Sequence, residues 1–369
     1  MPADIKLPLL GTVLVTGGCG FLGYALVRQL LDDVEVGEVH VVDRVVDKNR
    51  HSGAHYTVGT ITDRSLLEQL LKQITPAVVF HLASPNASFP TGPRTDFYHT
   101  NVEGTRSLLA LAAASPSVKA FVHCSTVDIY DGPPHVNTAE THPLFPPSSP
   151  EEYARTKAIA DTVVLDAAAR SSDPRGLRIV SLRIAHMYGS RCSQQLPALL
   201  ALSASGGPLV RLGSGTNLCS VVSSDNAAAA HILAAKALLD PARANGKIHG
   251  EAFNIAEPEP VLFWYHTMLF WAAARGRPVT DEVWTVPTWL VRIVYGLVAW
   301  GFWLCTAGHV QPPVSLSYTS LTWTTEDHTY STDKAKKRLG WSPKSDHDVV
   351  IRRSVEEAMN RGGGEGAVR

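Results

Sequence analysis

An α/β fold on a doubly wound parallel sheet is what this sequence predicts, and three observations predict it. Short β-branched runs alternate with helix-periodic segments through the first half of the 369 residues. A glycine-rich turn joins the first run to the first helix, and the second run ends in an acid 20 residues past that turn. Strands begin near Thr12, Val39, Tyr56, Ala77, Phe121 and Ile179, and helices follow Phe21, Asp63, Asn101 and Glu151. Such alternation closes as parallel strands with right-handed crossovers.

The first run, Thr12-Val13-Leu14-Val15-Thr16, has the β-branched character of a strand buried on both faces. Gly17, Gly20 and Gly23 follow at intervals of three residues. At such positions the missing Cβ permits a tight turn, close approach of backbone to a pyrophosphate, and close packing of helix on strand, as in a Rossmann-type dinucleotide cradle. Phe21 and Leu22 open the helix, where free N–H groups bind phosphate. Val39-His40-Val41-Val42-Asp43 is the second strand. Its terminal carboxylate is placed to accept hydrogen bonds from the adenosine ribose and repels a 2′-phosphate, which favours NAD over NADP. Arg44 follows Asp43 and softens that preference. Glycines also collect in surface turns and acids at strand ends; the combination of strand, turn, helix and acid favours the cofactor.

A second motif lies in the middle of the chain. Ser149-Pro150-Glu151-Glu152 reads as a helix start with Ser149 as the cap, so the helix begins just before Tyr153. Tyr153 and Lys157, four residues apart, then share one face near the positive end of the helix. A free phenol titrates near ~10, and a neighbouring ammonium with a helix N-terminus draws that value down. Tyr153 is therefore a candidate general base for an alcohol, with Lys157 as its electrostatic partner. Tyr-x-x-x-Lys also occurs on ordinary surface helices, and the cradle ahead of it favours the chemical reading.

These motifs together resemble the extended short-chain dehydrogenase/reductases, and more closely their 3β-hydroxysteroid dehydrogenase branch, which includes sterol-4α-carboxylate 3-dehydrogenases. The resemblance rests on Gly17 to Gly23, His81-Leu82-Ala83-Ser84, Asn101-Val102-Glu103-Gly104-Thr105, Tyr153 with Lys157, Asp225-Asn226 and Phe253-Asn254-Ile255. It continues through Glu257-Pro258-Glu259-Pro260-Val261 with Trp264, and through Arg338-Leu339-Gly340-Trp341-Ser342-Pro343. It implies a catalytic hydroxyl at the end of Phe121-Val122-His123-Cys124-Ser125, where Thr126 takes the slot with Ser125 beside it. Thr126 would stabilise charge on the substrate oxygen; the plain alternative is a hydroxyl that closes the strand end. The resemblance also assigns Ala83, Ser84, Asn101, Tyr153 and Lys157 to the cofactor. Thr60 stands where relatives carry an acid against the adenine amine, so backbone and Ile61 are expected to hold that ring instead. The proline that relatives often have after the arginine is missing after Arg183, while Tyr188-Gly189 matches.

The function so implied is NAD-dependent oxidation of a 3β-hydroxyl on a lipophilic sterol, steroid or triterpenoid-like substrate. A 4α-carboxylate on that substrate would leave as CO2 from the resulting β-keto acid. The same motifs serve nucleotide-sugar epimerases and dehydratases, and a non-catalytic dinucleotide sensor or scaffold is the reading from a different class. The resemblance also admits a homodimer.

A net charge of -1 without a Lys/Arg block excludes a nucleic-acid partner. Five cysteines, at 19, 124, 192, 219 and 305, form no metal-ligand spacing and cannot all pair, so a reducing compartment and no metal are expected. Leu7 to Val15 runs straight into the cradle, so no signal peptide is expected and the chain should begin in the cytosol. Residues 1–189 read as the dinucleotide-binding domain, 190–360 as a mainly substrate-binding portion interleaved with the sheet, and 361–369 as a disordered tail. Pro133 to Pro150 and Ser84 to Phe97 read as loops flanking the site. Trp289 to Cys305 is 17 residues with one charge, Arg292, and three tryptophans. It is expected to lie in a membrane interface; the alternatives are a buried core helix or the apolar wall of a pocket. The expected location is a cytosol-facing membrane, that of the endoplasmic reticulum, and otherwise the cytoplasm.

Overall fold

The computed structural model describes residues 9–85, 97–170, 176–192, 195–243, 247–277, 283–307, 318–344 and 346–365. Its central sheet takes strands β1 (Gly11–Thr16), β2 (Val36–Asp43), β3 (His55–Val58), β4 (Val78–His81), β5 (Ala120–Thr126), β7 (Arg178–Ile184) and β12 (Glu251–Ile255). They are parallel throughout, in the order β12-β7-β5-β4-β1-β2-β3. The order reverses between β1 and β4, and a crevice at the carboxyl ends of strands is where such a sheet binds ligands.

Alternation along the strands explains the double winding. Val13, Val15, Val41, Phe80, Val122 and Leu182 face one core with helices α1 (Phe21–Leu31) and α6 (Ser224–Leu239). Leu14, Val42, Val79, Phe121 and Ile179 face a second core with α2 (Arg64–Ile74), α3 (Thr105–Ala114) and α4 (Glu152–Arg170). Asp63 caps α2 by accepting from the Leu66 N–H at 3.0 Å, as an N-cap acid should. One helix start differs from expectation, as does the cap of another that begins where expected. The helix expected after Asn101 begins earlier, with a π-helical turn at Tyr98–Gly104 that runs into α3. The α4 helix begins at Glu152: its first bond runs from the Arg155 N–H to the Glu151 carbonyl, while the Ser149 hydroxyl accepts from the Glu151 N–H in a separate turn.

A buried polar network fixes α4 to the sheet. Arg183 of β7 pairs with Asp161 of α4 at 2.7 Å, and the Ser181 hydroxyl donates to the same carboxylate at 2.6 Å. The other arm of Arg183 donates to the Tyr130 hydroxyl at 3.0 Å and the Glu140 carbonyl at 2.8 Å. Tyr130 donates in turn to Asn254 of β12 at 2.6 Å.

The later part of the chain is interwoven with this sheet: α6 packs on α1, and β12 forms the sheet edge beside β7. A smaller sheet has the order β13-β10-β15-β6, with β6 (His135–Thr138), β10 (Leu218–Cys219), β13 (Val261–Leu262) and β15 (His328–Tyr330). The β6 strand falls inside the expected Pro133–Pro150 loop, drawn out by parallel pairing with β15. Of the other loop, residues 86–96 lie outside the described residues. The last helix, α10 (His347–Glu365), runs through 361–365, which corrects the expected tail there; 366–369 lie outside the described residues. The apolar segment forms α8 (Thr288–Thr306), in which only Val291 is buried, so it is not a core helix. Trp300 is 66% exposed and Trp289, Leu297, Trp303 and Leu304 share its situation.

The network makes a stability prediction. Arg183→Met leaves the Asp161 carboxylate buried without a counter-charge, which costs ~3–5 kcal/mol. The urea midpoint should fall accordingly, and adding Asp161→Leu should recover part of the loss. A single variant as stable as the parent would show that the pair does not hold α4.

Candidate active site

The candidate site gathers at the carboxyl ends of β1, β2, β4 and β5. After β1 the chain turns at Gly17, whose φ is +76° and whose N–H donates to the Val42 carbonyl at 2.9 Å. A Cβ on Gly17 would lie 2.8 Å from the Ala83 backbone nitrogen, and one on Gly23 would meet the Gly17 carbonyl oxygen. Only glycine fits either place. Gly20 caps α1 in extended conformation with no side chain to occupy the first N–H groups of the helix, at Phe21 and Leu22. That is the donor set a diphosphate requires. Asp43 ends β2 half-buried, and its Oδ2 accepts from the Cys19 N–H at 2.9 Å, which ties the turn to the strand that would meet the ribose. Arg44 beside it is exposed. The Thr60 hydroxyl shares a hydrogen bond with Thr62 at 3.0 Å, and Ile61 is buried against Gly104 in the π-helical turn.

The β4 end is held by a buried chain of hydrogen bonds. His81 bridges the Thr16 and Thr105 hydroxyls at 2.8 Å each, and burial, with the Lys157 charge, pulls its pKa down to about 3. The Ala83 N–H donates to the Thr16 hydroxyl at 3.3 Å. The Ser84 hydroxyl donates to Asn101 Oδ1 at 2.9 Å, and Asn101 Nδ2 donates to the Thr156 hydroxyl at 3.1 Å. Asn101, expected to touch cofactor, is buried with both ends of its amide engaged by protein. It joins the β4 end to α4, so its geometry is that of a positioning residue; a π-helical turn often marks such a place.

On α4, Tyr153 stands in the first turn, half-buried and edge-on to Phe97 with centroids 5.9 Å apart. Of the two expected hydroxyls, Thr126 is the one that acts on the phenol, favouring its ionised form. Ser125 is buried, and its Oγ has no partner among the described residues. The Thr126 hydroxyl accepts from the Asp128 N–H at 3.2 Å and donates to Asp128 Oδ2 at 3.0 Å. Lys157 is buried, and its Nζ donates to the Cys124 carbonyl at 2.6 Å. Here the expected electrostatics are corrected. Burial, reinforced by the Asp128 carboxylate, pushes the Tyr153 phenol well above its ordinary value instead of drawing it down. Burial likewise pulls the Lys157 ammonium down.

Two features escaped the sequence reading. Asp128 follows Thr126 by two residues, and its proximity in the chain was the available signal. Arg191, just past Tyr188-Gly189, stacks on Tyr24 at 3.8 Å and donates to Asn49 Oδ1 at 2.5 Å. Asn49 in turn donates to the Cys19 carbonyl at 2.9 Å, so the later half of the chain grips the cradle.

Comparison with known proteins fits this geometry. The model of the 3-beta hydroxysteroid dehydrogenase/isomerase family matches residues 14–280. A sterol-4-alpha-carboxylate 3-dehydrogenase (decarboxylating) of Gibberella zeae is 30% identical over 81% of this chain and 97% of its own length. The enzyme of that name from Saccharomyces cerevisiae is 32% identical over 71% of this chain and 75% of its own. Among solved structures, a UDP-glucose 4-epimerase of Thermotoga maritima superposes with a TM-score of 0.70 at 22% identity, covering 95% of this chain and 99% of that one. A dTDP-glucose 4,6-dehydratase of Bacillus anthracis in complex with NAD gives 0.68 at 21% identity, covering 95% and 97%. At such identities the structural likeness speaks for the fold alone, whereas the family match spans most of the sequence: the chain belongs to the 3-beta hydroxysteroid dehydrogenase/isomerase family.

Proposed function

We propose that this protein is an NAD-dependent oxidoreductase that converts the 3β-hydroxyl of a sterol-like substrate to the ketone at a membrane surface. The observation that carries the reading is convergence. A cradle open only to glycine, the acid at the end of β2, and the Tyr153–Thr126–Lys157 group meet on one edge of the sheet, in a chain whose relatives are named 3-dehydrogenases.

The α1 N-terminus and the Gly17–Gly23 turn seat the diphosphate, and Asp43 receives the adenosine ribose. NAD bound there supplies the acceptor for the hydride. Tyr153 takes the proton from the substrate hydroxyl, and Thr126 orients the oxygen as its charge develops. Lys157 has three protons, one of which the Cys124 carbonyl accepts, so two remain for the nicotinamide ribose. Ser84 and Asn101, tied to each other and to Thr156, would brace the β4 end against the bound cofactor. Substrate contacts come mainly from residues 190–360. Where the substrate bears a 4α-carboxylate, the ketone makes it a β-keto acid, which loses CO2 without a metal; the relatives' names include that decarboxylation.

Helix α8 supports attachment to the cytosolic face of a membrane, that of the endoplasmic reticulum. It is long and apolar enough to cross a bilayer by length and composition. At its start, however, Arg292 pairs with Glu326 at 3.5 Å on the globular body, which favours a helix that lies in the interface with its tryptophans at the headgroups. Burying its exposed face is favourable by roughly 25 cal/mol per Å² of apolar area.

The direct test incubates the purified protein with NAD and 3β-hydroxy sterols, with and without a 4α-carboxylate, and measures NADH and ketone. Tyr153→Phe should bind NAD normally and lose turnover by ~10²–10⁴-fold; near-normal turnover would remove Tyr153 from the mechanism. Wild-type protein should prefer NAD to NADP, and Asp43→Ala should narrow the gap; equal kinetics with both cofactors would overturn the NAD assignment. Replacing Leu297, Trp300 and Leu304 by serine should move the folded protein from the membrane pellet to the supernatant. Wild-type protein that ignores liposomes would end the membrane reading.

A further inference from the structure

The β2–β3 edge of the central sheet carries three metal-ligating side chains on one face, toward the end of β2 opposite Asp43. Glu38 and His40 stand two residues apart on β2, so alternation along the strand points them to the same side of the sheet. His55 opens β3 opposite His40 in the parallel register. Cysteine spacing predicts no metal, and these histidines, 15 positions apart in the chain, meet only because β2 and β3 pair. His40 Nε2 lies 3.1 Å from Glu38 Oε2, and the two imidazoles stack with centroids 4.7 Å apart and planes 21° from parallel. One ligand atom from each of the three side chains falls within 4.8 Å of the others.

We propose that Glu38, His40 and His55 form a site for a divalent transition-metal ion of the zinc type. Two imidazoles and a carboxylate are the donor set that such an ion takes, softer than the all-oxygen shell of calcium or magnesium and harder than a thiolate cluster. Tetrahedral zinc at ~2.0–2.2 Å from each ligand holds the ligand atoms about 3.3 Å apart. The Glu38–His40 pair already has nearly that separation. His55 has to turn its ring to complete the set. It is exposed, and rotation about χ2 of a histidine meets only a broad, shallow barrier. His40 is half-buried and supplies the fixed member, while exposed Glu38 adjusts to it. The ion takes the place of the proton shared between His40 Nε2 and Glu38 Oε2. His40 then carries its ring proton on Nδ1 and stays a neutral ligand. Water fills the fourth position.

Such an ion would act on the sheet and not on the chemistry. Asp43, the expected ribose acceptor, lies three residues beyond His40, or about 10 Å along an extended strand. The four-residue β3 ends the sheet and has β2 as its neighbour there. An ion bridging the two strands clamps this edge, and it stabilises the folded chain as any ligand does that prefers the native state.

The test titrates zinc into tag-free, metal-stripped protein against a chromophoric chelator, with neither NAD nor sterol present, so a failed dehydrogenase assay leaves its result intact. The parent should hold one equivalent more than His55→Ala or His40→Ala, and Glu38→Gln should hold that equivalent more weakly. Zinc should raise the thermal midpoint of the parent and leave that of His55→Ala where it was. Equal stoichiometry and affinity in the parent and His55→Ala would overturn the site, since any zinc bound would then belong to other side chains. His55 is exposed, so His55→Ala should melt with the parent before metal is added. X-ray absorption of the zinc-loaded parent provides a check that needs no variant. It should show two imidazoles in the first shell, and a shell of oxygens alone, or one containing sulfur, would overturn the proposal.

Discussion

The catalytic geometry depends on one buried ion pair. Asp161 lies one turn beyond Lys157 on the same helix, and Arg183 fixes it to β7 while reaching Tyr130 just after β5. Tyr153, Lys157 and Thr126 sit on α4 and β5, so their spacing is set where those elements are joined rather than at the site. Both charges are almost wholly removed from water, and an arrangement of this kind is tolerated only when each remaining polar group is also paired. Here it is: Ser181 fills the second carboxylate oxygen, and Tyr130, the Glu140 carbonyl and Asn254 complete the set. An apolar pair could pack as well, but it would lose these directional ties between α4, β7 and the turn after β5.

Burial then sets the chemistry. Taking the Lys157 ammonium and His81 out of water disfavours the charged form of each, and the packing around the half-buried Tyr153 moves its phenol upward. A site of this kind holds Tyr153 neutral and Lys157 as a hydrogen-bond donor more than as a remote field. The cofactor end is different in character: Asp43 is half-buried and Arg44 exposed, so recognition there relies on a carboxylate still near water.

What could be read in the chain beforehand follows from range. The glycine turn, the acid at the end of β2, and the Tyr153–Lys157 pair are local patterns whose meaning needs only a few neighbouring residues. The roles of Asn101 and Asn254 were out of reach, because Asn101 meets a partner 55 residues away and Asn254 one 124 away. The β6 strand was hidden in a Pro/Ser-rich stretch because its pairing partner, β15, lies far along the chain. The direction of the Tyr153 shift was misread for the same reason. A neighbouring lysine is visible in the sequence, whereas the burial that outweighs it exists only after folding.

The exposed helix and the buried site are joined by a short run of packed elements. Helix α8 leads toward α9 (Tyr318–Thr325), and Arg292 clamps the two together through Glu326. On α9, Trp323 stacks on His328 at 4.1 Å and leans on His186 at 5.9 Å. His186 in turn favours the ionised form of Asp128, whose carboxylate accepts from the Thr126 hydroxyl at 3.0 Å. Ring contacts therefore run from Trp323 on α9 to His328 and His186, while the tryptophans of α8 stay exposed. A sterol that leaves a bilayer for water loses ~0.8 kcal/mol for each exposed CH2. An apolar wall that receives such a substrate offsets that penalty, and the exposed apolar face of α8 bears the same cost for as long as water covers it.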